Sequence, residues 1–160
     1  MDWSKLVRFD SEIELSIKVT LNFTVEVAGV EIKDMRVPRM VESGSQPHVI
    51  LDCDYDLRDT EGTQVDVKWY FRDDPQPFFQ WLPGRNPQTI GDLFRDRIDL
   101  TYEVANSDEF RKHRALKILK PTTELSGMYR CKVSSFVDED FMQKPMIVYG
   151  KIFTSDGKLA

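Results

Sequence analysis

The sequence predicts an all-β fold, a sandwich of two antiparallel sheets. From about Val30 onward, short runs of alternating apolar and polar residues are separated by turn residues at fairly even intervals. This pattern is typical of a β-sandwich rather than of βαβ units. The cysteines Cys53 and Cys131 each fall in register with such a run. At 160 residues, the chain is long enough for one core and leaves little for a second, so we expect one domain with tails.

The first 29 residues form an N-terminal extension of uncertain status. The stretch Ile17–Val27 alternates strictly between apolar and polar residues, which indicates a strand. The N-terminal extension contains no recognisable signal peptide, because Glu12, Glu14 and Lys18 interrupt its only apolar run. Two interpretations stay open: a native strand, or a non-native leader from an alternative first exon or a mis-joined gene model.

Residues 30–150 carry the predicted sandwich, and residues 151–160 form a tail or a truncated linker. A break at Pro38 suits an edge strand, because proline cannot donate to a ladder. The predicted strands are Val30–Val41, His48–Tyr55, Val65–Phe71, Phe78–Leu82, Ile98–Tyr102, Ala115–Leu119, Gly127–Ser134 and Met142–Ile152.

Three residues lie at informative positions around the two cysteines. Trp69 follows Cys53 by sixteen positions, Tyr129 precedes Cys131 by two, and Gly127 lies just upstream. On these residues the segment Val30–Tyr149 resembles immunoglobulin domains of the variable or intermediate set. The resemblance implies a Cys53–Cys131 disulfide between facing sheets, with Trp69 packed on it and the Tyr129 hydroxyl bonded to the preceding turn.

One position departs from the variable-type pattern. Many such domains carry an Asp where this chain has Leu125, and that Asp pairs with an Arg at the start of the fourth strand. We therefore expect this bridge to be missing, although Arg95 and Arg97 lie nearby in the sequence. The long interval between Trp69 and Cys131 leaves room for the extra hairpin of a variable-type domain, beginning with Phe78–Leu82.

Within that superfamily, three stretches are similar to the arthropod beaten-path group of neuronal cell-surface proteins: Val67–Phe71, Phe79–Pro83 and Leu125–Cys131. The resemblance implies an extracellular domain of a secreted or membrane-attached protein. Its role would be cell recognition, for example in axon guidance, through another immunoglobulin-type receptor. A structural spacer in a larger adhesion protein and a soluble immune-type receptor domain are the alternatives, since fold alone does not separate them.

A candidate partner-binding surface follows from the strand phases. Aromatic and arginine side chains are enriched at the centres of protein interfaces. The outward positions of the central predicted strands supply Lys68, Tyr70, Arg72, Gln80, Trp81, Arg130 and Lys132, with Phe79 and Ser134 nearby. The alternative is that Phe79 and Trp81 fold inward and that the cations are merely solvated.

Composition and motifs argue against other functions. A net charge of −5 opposes binding to nucleic acid, which depends on Lys and Arg. No nucleophile with an oriented base, zinc-type cysteine pair or phosphate-cradling loop is recognisable, so we expect neither an enzyme nor a cofactor or metal site. No run of about 18 apolar residues suggests a membrane span.

The sequence also contains a basic cluster, an acidic turn and a glycosylation sequon. Phe110–Arg114 is a small basic cluster that we expect to be solvated, and Asp138–Asp140 lacks the ligand spacing of a calcium loop and is interpreted as a solvated turn. Asn22 begins an acceptable glycosylation sequon, whereas Asn86 is followed by proline.

Overall fold

The computed structural model describes residues 29–58 and 64–150. Nine strands account for most of the regular structure there, with a short 3-10 helix at Thr123–Leu125. The strands are β1 Val30–Arg36, β2 Met40–Glu42, β3 His48–Leu57, β4 Asp66–Phe71, β5 Phe79–Trp81, β6 Gln88–Thr89, β7 Leu116–Leu119, β8 Gly127–Ser134 and β9 Glu139–Tyr149.

These strands form two sheets that face each other. The small sheet has the order β1-β3-β7, and the large sheet has the order β2-β9-β8-β4-β5-β6. All neighbours are antiparallel except β2 and β9, which pair in parallel. The predicted two-sheet, all-β architecture is therefore confirmed.

Strict alternation places the core between the sheets. In β3, β4 and β8 the inward positions are buried and the outward positions are mostly half-buried. Burying a large apolar side chain contributes about 1.5–3 kcal/mol, so such alternation fixes the register of each strand. The largest fully buried side chains are Trp69, Trp81, Tyr55, Tyr129, Met35 and Leu51.

A disulfide joins Cys53 of β3 to Cys131 of β8 and so links the two sheets. Trp69 lies directly opposite Cys131 in the β4–β8 ladder and shares its inward face. The Tyr129 hydroxyl donates to the Leu125 carbonyl at 2.8 Å, which ties β8 to the 3-10 helix before it. The arrangement expected around the two cysteines is present.

Several predicted strand boundaries are wrong. The predicted Val30–Val41 strand is two strands, because the chain crosses from the small sheet to the large sheet around Pro38. The predicted Ile98–Tyr102 strand is reduced to a single bridge between Ile98 and Ile118. The last strand begins at Glu139 rather than Met142, because its first residues extend the pairing with β8 as far as Ser134.

Candidate functional site

The solvent side of the large sheet, called the outer face below, collects five of the seven predicted binding residues. Lys68 of β4 lies between Gln80 of β5 and Lys132 of β8. Tyr70 lies opposite Arg130 in the next row of the β4–β8 ladder. All five side chains alternate with buried ones, so they point away from the core.

The other half of the outer face is mostly apolar, with Gln143 opposite Arg130 as a polar exception. Phe141 of β9 lies opposite Lys132, Pro145 lies opposite Met128, and Ile147 lies beside Met40 of β2. Phe141 is 59% exposed and Met40 62%, and Met128, Ile147 and Tyr149 are also exposed. Sequence reasoning missed this half because it began the last strand at Met142. The alternating residues Phe141, Ile147 and Tyr149 were the available signal, although Gln143 and Pro145 interrupt it.

The charges on the outer face are unequally paired. The Lys68 ammonium contacts the Asp66 carboxylate, which also accepts from Gln80 Nε2 at 3.0 Å. The Lys132 Nζ lies 2.6 Å from Glu139 Oε2. The Arg130 guanidinium instead stacks over the Tyr70 ring, 4.5 Å from its centroid, and has no ion-pair partner among the described residues.

The outer side of the small sheet has the opposite character. Its strands present acidic and basic side chains that pair with one another. Arg114 contacts both Asp52 and Asp54, and its side chain is only 13% exposed. The remaining pairs there are Lys33–Glu31, Lys33–Asp56, Arg36–Asp34, Arg36–Asp52, Arg58–Glu31, Arg111–Asp56 and Lys117–Asp99. That surface is polar and internally neutralised.

The turn between β8 and β9 presents two consecutive apolar side chains. Phe136 is 76% exposed and Val137 is 69% exposed, in positions where polar residues or glycine are usual. Ser135 orders this turn: its Oγ accepts from the amides of Val137 at 3.3 Å and Asp138 at 3.1 Å. The apolar tip is therefore held in a defined conformation at one end of the outer face.

The prediction that Trp81 contributes to this surface is wrong. Phe79 and Trp81 lie opposite Trp69 and Val67 in the β4–β5 ladder, so both point inward and only Gln80 points out. Trp81 is completely buried, with its ring edge against His113. The interpretation that both aromatic residues fold inward is correct.

The predicted position of Arg72 on the outer face is also wrong. Arg72 follows the end of β4 with a φ of 57°, which redirects its side chain. Its guanidinium donates to the carbonyls of Glu124 and Ser126 at 2.9 and 3.1 Å and lies over the Phe71 ring. Arg72 therefore joins β4 to the 3-10 helix region rather than extending the outer face.

The acidic and basic motifs are both integrated into the fold. Arg111 and Arg114 of the basic cluster form ion pairs instead of being merely solvated. The turn at Asp138–Asp140 is not simply solvated either, because Asp138 accepts from the Val30 amide at 3.2 Å. Asn22, the rest of the N-terminal extension and residues 151–160 lie outside the described residues.

The missing bridge at Leu125 is replaced by a neighbouring one. Leu125 is buried, while Arg97 pairs with Glu124 and also donates to Thr122 Oγ1 at 2.7 Å. The hydrogen bond from Thr122, followed by the charge of Arg97, lowers the pKa of Glu124. Leu125 itself takes no part in an ion pair, and the Arg97 ion pair forms with the residue before it.

Neither a membrane-spanning helix nor a metal-binding cluster occurs within residues 29–58 and 64–150. No helix there is both long and apolar enough to cross a bilayer. No group of three or more His, Cys, Asp or Glu side chains is arranged to hold a metal ion in those ranges.

Comparison with solved structures supports the fold. The human B7-H4 IgV-like domain aligns with 77% of this chain and 96% of its own, at 14% identity and a TM-score of 0.54. A chimeric titin Z1Z2 carrying an exogenous decorin peptide aligns with 78% of this chain and 98% of its own, at 20% identity and a TM-score of 0.49. An amphioxus IgVJ-C2 molecule aligns with 68% of this chain and 54% of its own, at 19% identity and a TM-score of 0.49.

Sequence comparison adds no closer relationship. No protein-family model matches the chain, and no curated protein matches it either. The sheet order, the inter-sheet disulfide and the B7-H4 alignment agree with one another. The chain has an immunoglobulin-like β-sandwich fold.

Proposed function

We propose that this chain is an extracellular protein-binding module that recognises another cell-surface protein through the outer face of its large sheet. The observation that carries the proposal is the contrast between the two sheets. Exposed apolar side chains collect on the outer face and its hairpin tip, whereas the small sheet covers its own outer side with ion pairs. An exposed apolar surface rimmed by polar residues is characteristic of a protein interface.

The composition of the face supports protein recognition rather than small-molecule binding. Tyr70 and Arg130 are stacked near its middle, with Phe141 on the adjoining strand. Residues of these types dominate binding energy at protein interfaces, since they bury large areas at modest entropic cost. An open sheet surface offers such contacts without enclosing a small ligand.

The extracellular setting is supported by the Cys53–Cys131 disulfide, because such bonds persist mainly in oxidising compartments. The stretches similar to the beaten-path group favour a role in cell recognition, including axon guidance, with an immunoglobulin-type receptor as partner. This proposal treats the chain as non-catalytic and excludes nucleic acid as its partner.

The test is a binding screen of the oxidised chain against a panel of extracellular immunoglobulin-domain proteins. We expect at least one partner whose affinity falls about tenfold or more with Tyr70→Ala, Arg130→Ala or Phe141→Asp. Arg36→Ala is the matched control, because Arg36 is an exposed arginine of the small sheet. Binding that depends on Arg36 but not on Arg130 or Phe141 would refute the proposed face, and a chain that binds nothing would support a spacer role.

A further inference from the structure

We propose that the partner of the outer face is a different protein rather than a second copy of this chain, and that it presents a carboxylate to Arg130 within an otherwise apolar surface. This inference rests on the proposed function. Among residues 29–58 and 64–150, Arg130 is a cation of the outer face without an ion-pair partner.

Arg130 is held in place by the Tyr70 ring, and its guanidinium donates to no acceptor within the described part of the chain. Asp66 neutralises Lys68 and Glu139 neutralises Lys132, whereas Arg130 contacts the face of the Tyr70 ring. Stacking fixes the plane of a guanidinium and leaves its N–H donors at the edge available for a bidentate carboxylate. The aromatic ring therefore orients Arg130 toward an acceptor outside the domain.

Covering this position without a counter-charge would be unfavourable. Arg130 lies on β8, between β9 and β4, so a partner spanning the apolar and polar halves must cover it. Burying a charged group without a partner costs far more than the surrounding apolar contacts contribute. The occupant consequently needs a carboxylate at this point and apolar groups over Phe141 and Ile147.

A second copy does not meet this requirement. A two-fold contact places the same patch against itself, so groups near the axis meet their own equivalents. Lys68, Arg130 and Lys132 occupy the middle of the face on adjacent strands. The acidic residues lie at its ends, with Asp66 and Glu139 beside Ser134 and Glu42 beside Tyr149. Since Lys68 and Lys132 are paired within the domain, a centred two-fold contact would bring the unpaired Arg130 close to its own equivalent, which disfavours association.

The first experiment selects a random displayed peptide library on the oxidised wild-type chain and, in parallel, on Arg130→Glu. We expect wild-type binders that combine Asp or Glu with aromatic or aliphatic residues. On Arg130→Glu, we expect Lys or Arg at the same place with the apolar residues retained. Each peptide set should bind the other protein at least tenfold more weakly.

Retesting the selected peptides on Phe141→Asp separates the two levels of the proposal. Peptides that require Phe141 but show no acidic preference on the wild type, or no charge switch on Arg130→Glu, would overturn the carboxylate inference and leave the proposed face standing. Peptides that bind Phe141→Asp as well as wild type would overturn the face and the inference together.

Sedimentation equilibrium of the oxidised chain tests the excluded occupant. We expect a monomer up to concentrations of about 100 μM, the range of weak recognition contacts. A dimer that Phe141→Asp dissociates, while Arg36→Ala leaves it intact, would show that a second copy covers this face and would overturn the inference. Arg130→Glu should not produce a tighter dimer, because Lys68 and Lys132 remain paired within the domain.

Discussion

The backbone amide of Ile32 donates to the side chain of Asp140, with 2.8 Å between the nitrogen and Oδ2. This bond joins the two sheets, because Ile32 belongs to β1 and Asp140 to β9. The other carboxylate oxygen accepts from the Phe141 amide at 2.8 Å. Asp138 repeats the arrangement with Val30 and Glu139. Two side chains thus satisfy strand-edge amides and attach β1 to the large sheet.

Replacing Asp140 with alanine should destabilise the domain by about 1–3 kcal/mol, because it leaves a part-buried amide without an acceptor. The measurement is chemical denaturation, together with hydrogen exchange at the Ile32 amide, which should become faster. Glu139→Ala is the control and should change stability by less than about 0.5 kcal/mol, since Glu139 is exposed. Unchanged Ile32 protection in Asp140→Ala would show that the side chain does not hold β1.

Gly127 is required by close packing rather than by an unusual φ. A Cβ atom at this position would lie 2.7 Å from Phe71 Cε2 and 3.0 Å from Phe71 Cζ. The Phe71 ring is packed against Phe94 and Tyr129 and has little room to move. We expect Gly127→Ala to destabilise by about 1–3 kcal/mol, the usual cost of overpacking.

The matched control is Gly150→Ala, because a Cβ atom there meets nothing within 4 Å. Both variants are compared with wild type by urea denaturation. Equal stability of the two alanine variants would mean that the Phe71 ring shifts without cost, contrary to this explanation.

Stability should fall at alkaline pH because of two buried tyrosines. Burial raises the pKa of Tyr129 and of Tyr55 well above the ordinary value of 10.0. Above that value the unfolded chain loses both phenolic protons while the folded domain keeps them. The stabilisation is therefore complete below about pH 10 and is lost as the pH rises further.

Phenylalanine variants test this expectation. Tyr129→Phe loses the hydrogen bond to Leu125 and should be less stable at pH 8 by about 0.5–1.5 kcal/mol. Its loss of stability between pH 8 and pH 11 should nevertheless be smaller than that of wild type, as should that of Tyr55→Phe. A pH dependence identical to wild type in both variants would assign the alkaline loss to other groups.

The parts of the fold that sequence predicts well are those where alternation and burial act together. Both β3 and β4 have unbroken alternation, so the inward positions of Cys53 and Trp69 follow directly. At β9 the polar Gln143 and the imino acid Pro145 interrupt the alternation of apolar residues, so the sequence does not predict the apolar half of the outer face. The alternation of residues along a strand therefore predicts which side chains point inward, but it does not predict at which residue the pairing between strands begins.

Other details depend on tertiary geometry that no short pattern encodes. Arg72 leaves the expected face because its backbone has a positive φ. This conformation is uncommon for residues other than glycine, so the arginine in the sequence does not indicate it. Glu124 takes the place of the acidic residue expected at Leu125 because the 3-10 helix brings its side chain to Arg97. Both outcomes are set by how the turn before β8 packs.

The hairpin tip gives the clearest separation of binding from stability. Replacing Phe136 and Val137 with serine removes two exposed apolar side chains that contribute little to folding. The unfolding free energy should therefore change by less than about 0.5 kcal/mol. Affinity for a partner found in the screen should fall about tenfold or more, because the ordered tip adjoins Phe141 at one end of the outer face.

The matched control for the tip is Ile90→Ser with Leu93→Ser, which removes two exposed apolar side chains outside β8 and β9. Surface plasmon resonance and thermal melting measure affinity and stability for both double variants. If the tip variant binds as well as wild type, the contact is confined to the strands. If the control weakens binding equally, general surface hydrophobicity explains the affinity. Loss of binding only in the tip variant requires the interface to reach from β9 onto the hairpin turn.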